Sequence, residues 1–335
     1  MSATAAGMDA LLLTAIAVGG AAMAWLVAMT YVYRFRGRAR YDSLRQYLRK
    51  SWPVFALPNV LLYLSTKSRA RGPYVNLNNY RYLSVLSHYH ETIRDEALAL
   101  QYQGGFEDAR QEGTPASYDV GFRTFYKYGW SRYYLTWYGY THTSAKASCP
   151  RTLEILSKFP EIKGAMFAVL PPRSGLTPHA DPLACSLRYH LGLATPNSDD
   201  CFLNVDGIES SWRDGEAFVF DETYLHFVRN ETDQPRLILM CDVVRPMHLP
   251  GRILNAAYSL LARAALTPND ARDRRGPASA LFANVAPLLT RARLLRESNR
   301  PAYNALKWGI NLTLLGIVLG LVGGASALAL WLLTL

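Results

Sequence analysis

Two stretches of this 335-residue chain carry no charge: Ala10 to Tyr33, ALLLTAIAVGGAAMAWLVAMTYVY, and Trp308 to Leu335, WGINLTLLGIVLGLVGGASALALWLLTL. At about 1.5 Å rise per residue, roughly 24 residues make ~36 Å of helix, enough to cross a hydrocarbon core of roughly 30 Å. Each run is therefore expected to form a transmembrane helix, one at each end. A cleaved signal peptide needs positive charge ahead of a shorter apolar stretch. Here Asp9 precedes the first run, while Arg34, Arg36, Arg38 and Arg40 follow it. Arg291, Arg293, Arg296, Arg300 and Lys307 precede the second. Both clusters lie between the runs, so the positive-inside rule puts the intervening segment in the cytoplasm and both termini in the periplasm, a two-pass topology.

The expected organisation is an N-terminal anchor over 1–34, a basic interfacial segment over 35–75, a central domain over 76–250, an amphipathic basic segment over 251–307 and a C-terminal anchor over 308–335. In the second segment Tyr41, Leu44, Tyr47 and Leu48 share a helical face, which suits either the headgroup layer or packing on the central domain. Between 281 and 295 helical spacing recurs beside Arg291, Arg293 and Arg296, with Pro287 expected to kink or divide the helix. The net charge is +10, but its basic residues crowd near the apolar runs. Anionic lipid headgroups therefore fit better as a partner than nucleic acid. The four cysteines (149, 185, 201 and 241) match no zinc spacing and read as small, buried, reduced residues.

HETIRDEALAL (90–100) reads as an amphipathic helix. From 161 to 246 the texture changes to short apolar or alternating runs, GAMFAVLPP, SLRYHLGL, CFLNVDG, EAFVFDE, LHFVRN and RLILMCDVV. Strands of this length and spacing predict an antiparallel sandwich or small barrel.

Within that region stands HADPLACSLRYH (179–190). On a strand, His179 and Asp181 would project from one face, the geometry of adjacent ligands on one ion. His226, in FDETYLHF, is a candidate third ligand, and two imidazoles with one carboxylate are the set of the non-haem Fe(II) oxygenases. Read alone, a loop position for His179 and a satisfied core position for His226 is the better reading, and the neighbouring residues alter it. Arg236 opens RLILMCDVV, where its guanidinium would match the far carboxylate of a 2-oxo dicarboxylate. Arg188 and His190 share a face of their strand. The bland alternative for Arg188 and Arg236 is a pair of surface ion pairs, although an arginine inside an apolar strand is costly to bury unpaired. Trp212 and Gly215 look like a turn feeding a strand, and Asp221 either orients a ligand or caps a turn. The aromatic run YKYGWSRYYLTWYGYTH (126–142) suits an acyl channel or a core.

The blocks WYGYTHTSAKASCPRTLEIL, HADPLACSLRYHLGLATPN, SWRDGEAFVFDETYLH and NETDQPRLILMCDVVRPM closely resemble the aspartyl/asparaginyl β-hydroxylase family, and within it the membrane-bound lipid A 2-hydroxylases. The resemblance implies a mainly β, double-stranded β-helix (jelly-roll) catalytic domain with flanking helices, an Fe(II)/2-oxoglutarate-dependent dioxygenase using O2. It matches His179 and His226 to the metal histidines, and Arg188, His190 and Arg236 to the 2-oxoglutarate positions. The protein-modifying branch has Gly where this chain has Asp181, so His179, Asp181 and His226 would form the full set. That branch has Ser where this chain has Ala168. The substrate implied is a membrane lipid, lipid A, at the inner membrane, with an ornithine lipid, a protein Asp/Asn side chain, or a non-catalytic metal- or lipid-binding module as alternatives.

Overall fold

A computed structural model describes residues 3–51, 53–111, 113–116, 119, 129–310 and 312–313. It forms two units, Tyr33–Asn284 and a second made of Met1–Val32 with Val285–Leu335. Helix α1 (Ala3–Arg34) contains Ala15–Arg34, among the described residues the one stretch long and apolar enough to cross a membrane. Of the second apolar run, 308–310 and 312–313 are helical, and the rest lies outside the described residues.

The larger unit begins with α2 (Leu44–Lys50), α3 (Ala56–Ser65), β1 (Tyr74–Val75), α4 (Arg81–Leu86) and α5 (His90–Tyr102). It continues through β2 (Ser131–Trp137), β3 (Tyr140–Thr141), α6 (Thr143–Ser148) and α7 (Pro150–Ser157). Eight strands follow: β4 (Ile162–Leu170), β5 (Ser174–His179), β6 (Ser186–Ala194), β7 (Cys201–Val205), β8 (Ile208–Ser211), β9 (Ala217–Phe220), β10 (His226–Asn230) and β11 (Arg236–Val244). Then come α8 (Leu249–Ala264) and α9 (Pro277–Ser298), of which only the part up to Asn284 belongs to this unit. Pro287 does not divide α9; a proline removes one backbone donor, which a long helix can survive.

The strands form two antiparallel sheets, ordered β1-β9-β6-β11-β4-β2-β3 and β5-β10-β7-β8. Between β4 and β11 the chain changes sheet at every connection except β7–β8, which is the double-sheet jelly-roll order. Residues alternate accordingly. Met166, Ala168 and Leu170 of β4 and Ile238 and Met240 of β11 meet Leu176, Leu203, Val205 and Val228 of the small sheet. The intervening Phe167, Val169, Leu239 and Cys241 pack with Leu83 and Leu86 of α4, Ile93, Ala97 and Leu100 of α5, and Ile155 and Leu156 of α7. The large sheet is thus covered on both faces, so its strands read as near-continuous apolar runs rather than strict alternation. At roughly 1.5–3 kcal/mol for each large apolar side chain buried, this double coverage is the main favourable term holding the sheet. All four cysteines are buried free thiols.

Candidate metal centre

His179 ends β5 and His226 begins β10, and the two are directly paired across the strands. A register irregularity between His226 and Val228 sits beside this pair; such bulges re-aim side chains at the ends of sheets. The imidazole centroids are 4.2 Å apart. Asp181 is not on β5, contrary to the expectation of a shared strand face. The strand stops at His179 because Pro182 and the following turn leave the ladder, and the Asp181 N–H donates instead to the Glu222 carbonyl (2.9 Å). The carboxylate nevertheless comes to within 3.6 Å of His179 Nε2. One ligand atom from each of His179, Asp181 and His226 lies within 4.8 Å of the others.

Both imidazoles are oriented the same way. Nδ1 of His179 is 2.9 Å from the Thr177 carbonyl, and Nδ1 of His226 is 2.9 Å from the Tyr224 carbonyl. A carbonyl only accepts, so each Nδ1 carries the proton and each Nε2 keeps its lone pair for a cation. Burial, reinforced by the neighbouring His179, holds His226 down at about 4, so its ring stays neutral well below pH 6.5. Burial alone would raise Asp181, but Arg188 and the two histidines outweigh it and keep it ionised.

Arg188 stands opposite Asp242 across the β6–β11 ladder. Its guanidinium meets Asp242 at 3.0 Å, Asp181 at 3.4 Å and Glu222 closer still. A co-substrate carboxylate would meet Arg188 in competition with these three. Burial, with Asp242 and Asp181 nearby, holds Glu222 well above the usual carboxylate range despite Arg188. His190, two residues along the same face, takes a hydrogen bond on Nδ1 from Trp212 Nε1–H (3.3 Å). Its Nε2 therefore carries the hydrogen and has no partner among the described residues. Burial, with Arg236 and Arg188, keeps the ring neutral.

Arg236 is 0 % exposed, and no nitrogen of its guanidinium has a hydrogen-bond partner among the described residues. Its Cζ lies 4.3 Å from the Trp212 ring centroid and 5.0 Å from that of Trp130. Burial lowers its pKa only to about 10, so it remains a cation. A fully buried cation whose donors meet no acceptor among the described residues has the chemistry to take an anion. Ala168 is buried on the same inner face and pairs with Ile238.

Sequence reasoning gave Trp212 only a turn, whereas it stacks on Arg236 and orients His190. Gly192 permits this: a Cβ there would lie 2.1 Å from the Arg213 carbonyl, so only glycine lets the 212–215 turn close on β6. Gly215 has φ +78°, in keeping with the backbone role read for it. Asp242 was missed although it lies an even number of residues after Arg236 and so shares its face; strand period alone could have found it. Glu222 and Asn59 carried no such signal. Asn59 of α3 accepts from the Ala184 N–H (3.0 Å) and donates to the Pro182 carbonyl (2.9 Å), bracing the turn after Asp181. Asp221 orients neither imidazole directly; it pairs with Arg36 and Arg245. Among the described residues of the 126–142 aromatic run, Trp130 lies beside Arg236; Tyr133, Tyr134, Trp137 and Tyr138 are core.

The double-sheet jelly roll thus gathers two imidazoles, a carboxylate and a buried guanidinium whose nitrogens meet no hydrogen-bond partner among the described residues. Residues 87–246 match the family model described as aspartyl/asparaginyl β-hydroxylase, so this part of the chain is similar to that hydroxylase family. An ornithine lipid ester-linked acyl 2-hydroxylase of Rhizobium tropici is 34% identical over 140 residues, covering 42% of this chain and 49% of that protein. The human aspartyl/asparaginyl beta-hydroxylase is 30% identical over 163 residues, 47% of this chain and 20% of that one. The chain therefore spans about half or less of the length of these relatives. Among solved structures, a Pseudomonas putida prolyl-4-hydroxylase aligns over 48% of this chain and 87% of its own with 16% identity and a TM-score of 0.30.

Proposed function

We propose that the protein is an Fe(II)/2-oxoglutarate-dependent dioxygenase that hydroxylates C2 of an ester-linked acyl chain of a membrane lipid, with lipid A as the first substrate to test. The observation that carries this reading is the His179–Asp181–His226 cluster, with both Nε2 atoms left free by backbone carbonyls. These three would hold the metal, Arg236 would take the far carboxylate of 2-oxoglutarate between Trp130 and Trp212, and Arg188 and His190 would face its metal end. When bound, Fe(II) with 2-oxoglutarate supplies the oxidation that places one atom of O2 in a C–H bond and the other in succinate, with loss of CO2. The protein's part is to keep His226 and His190 neutral, Asp181 ionised and Arg236 dry.

What supports a lipid substrate is the surface beside these residues. Leu44 and Leu48 of α2, Leu61 and Leu64 of α3, and Leu249 and Ile253 of α8 are exposed, with Leu64 at 68% and Ile253 at 67%, and α3 packs against α8. Apolar side chains this exposed suit a headgroup boundary. C2 lies one bond from the ester carbonyl, so reaching it withdraws few methylenes, each at about 0.8 kcal/mol. The basic residues flanking both apolar runs favour a cytoplasmic position for the segment between them, at a bacterial inner membrane.

Ornithine lipid is the second reading, favoured by the Rhizobium tropici relative, which acts on an ester-linked acyl group. Purified protein given Fe(II), 2-oxoglutarate and a lipid extract should release succinate, and His179→Ala or Asp181→Ala should not. No succinate with any lipid extract would end the enzyme reading and leave a non-catalytic metal- or lipid-binding module. Succinate with a peptide carrying Asp or Asn, and none with lipid, would move the substrate to protein.

A further inference from the structure

Two residues beyond the end of α1 the chain does something that a flexible tether would not. The side chain of Arg36 is only 8% exposed, with its guanidinium 3.4 Å from the Tyr63 ring centroid and 4.1 Å from that of Tyr224. Its Nη2 donates to Asp221 (2.9 Å) and to the Thr223 hydroxyl (2.8 Å). The next residues add a second attachment: the Arg38 and Ala39 N–H groups both donate to Asp206 Oδ1 (2.6 and 2.8 Å). The Asp206 N–H in turn donates to the Leu225 carbonyl (2.9 Å).

Apart from Tyr63 on α3, these contacts converge on residues 221–225, the loop that leads into His226, directly or through Asp206. That loop supplies the carbonyl of Glu222 to the Asp181 N–H and the carbonyl of Tyr224 to His226 Nδ1. Two of the three candidate ligands are therefore oriented by a loop which the segment after α1 holds from outside. This segment lies outside the stretch that the hydroxylase family model matches, 87–246.

We propose that Arg36, with the Arg38–Ala39 backbone clasped by Asp206, is a positioning element of the metal centre, so that the residues just after the apolar helix complete the site rather than merely connect to it. This rests on the metal-binding reading above. Arg36 works through the 221–225 loop and touches no ligand itself. Its loss would leave Asp221 still paired with Arg245 through both oxygens (2.8 and 2.9 Å), so the buried carboxylate keeps a cation and the fold keeps its closure. What changes is the freedom of Tyr224 and Glu222.

The test is Co(II) binding by the full chain in detergent, read from the visible ligand-field spectrum, alongside the melting temperature of the metal-free protein. Removing a direct partner of a metal ligand typically weakens metal binding about ten- to a hundredfold, and losing a group one contact further out should weaken it at the low end of that range, about tenfold. Arg36→Met and Asp206→Ala should each do so and alter the Co(II) spectrum, with metal-free melting close to wild type. Asp206→Asn, which keeps an acceptor for the two N–H groups, should restore wild-type binding. If Arg36→Met does not fold, the Asp206 pair decides alone. Wild-type Co(II) affinity and spectrum in both disruptive variants would overturn the proposal, as would equal loss in Asp206→Ala and Asp206→Asn. If the wild-type protein binds no Co(II), or His179→Ala binds it equally well, the metal reading itself fails and this proposal falls with it.

Discussion

Arg236 is a buried cation whose five donors meet no acceptor among the described residues, held only between two indole faces. Such a group weakens the ligand-free protein, because desolvation of a charge is not returned by stacking alone. Arg236→Met should therefore leave the melting temperature of the metal-free protein unchanged or raised, while abolishing its increase on adding 2-oxoglutarate with Co(II). A fall in melting temperature without any ligand would instead mark Arg236 as structural. Arg236→Lys keeps the charge but loses the planar fork. Its loss of about 1.5–3 kcal/mol of charge-assisted bonding should appear as a raised KM for 2-oxoglutarate more than a lowered kcat. Much of this residue pattern was legible in the sequence. Arg188 and His190 sit two apart on β6, so period two places that pair on one face, and Arg236 opens β11. Trp212 was not legible, because its place over Arg236 depends on a turn closing against Gly192, a contact between segments that local spacing does not encode.

At the scale of elements, the 221–225 loop is held by a buried ionic knot. Burial alone would raise Asp221, but Arg245 and Arg36 overcome it and hold the carboxylate well below its ordinary range. As pH falls, the unfolded chain takes up this proton first, so the stabilisation is full above about pH 4 and is lost progressively as pH drops below it. Melting temperature should decline progressively as pH drops below about 4, and less steeply in Arg36→Met, where one of the two cations is gone. Equal slopes would show that Asp221 does not feel Arg36. Asp221→Ala, which strands both arginines, should cost about 3–5 kcal/mol in unfolding experiments. The strands themselves were legible, since apolar runs of five to nine residues between turns left little else for 161–246 to form. The position of Asp181 was not: its strand ends two residues early, and a chain-level hydrogen bond to Glu222 takes over where the ladder stops.

For the molecule as a whole, the larger unit presents exposed leucines on α2, α3 and α8, and the chain carries one described helix long enough to cross a membrane. Leu61→Glu with Leu64→Glu removes apolar contact from α3 without touching any candidate ligand. Turnover of lipid in vesicles should fall severalfold in this double variant, while succinate release with a dispersed short-chain ester should stay near wild type. Equal loss on both substrates would mean that α3 matters to the fold rather than to the membrane. On the proposed reading, this jelly roll oxidises an acyl chain of a membrane lipid through the His179–Asp181–His226 centre. Mass spectrometry of lipids from bacterial cells making either the wild-type chain or Asp181→Ala tests it most directly. With the wild type, lipid A or an ornithine lipid should gain the mass of one oxygen atom, placed by fragmentation at C2 of an ester-linked acyl chain, and Asp181→Ala should show no gain. Lipid profiles that are the same with both chains would contradict the account.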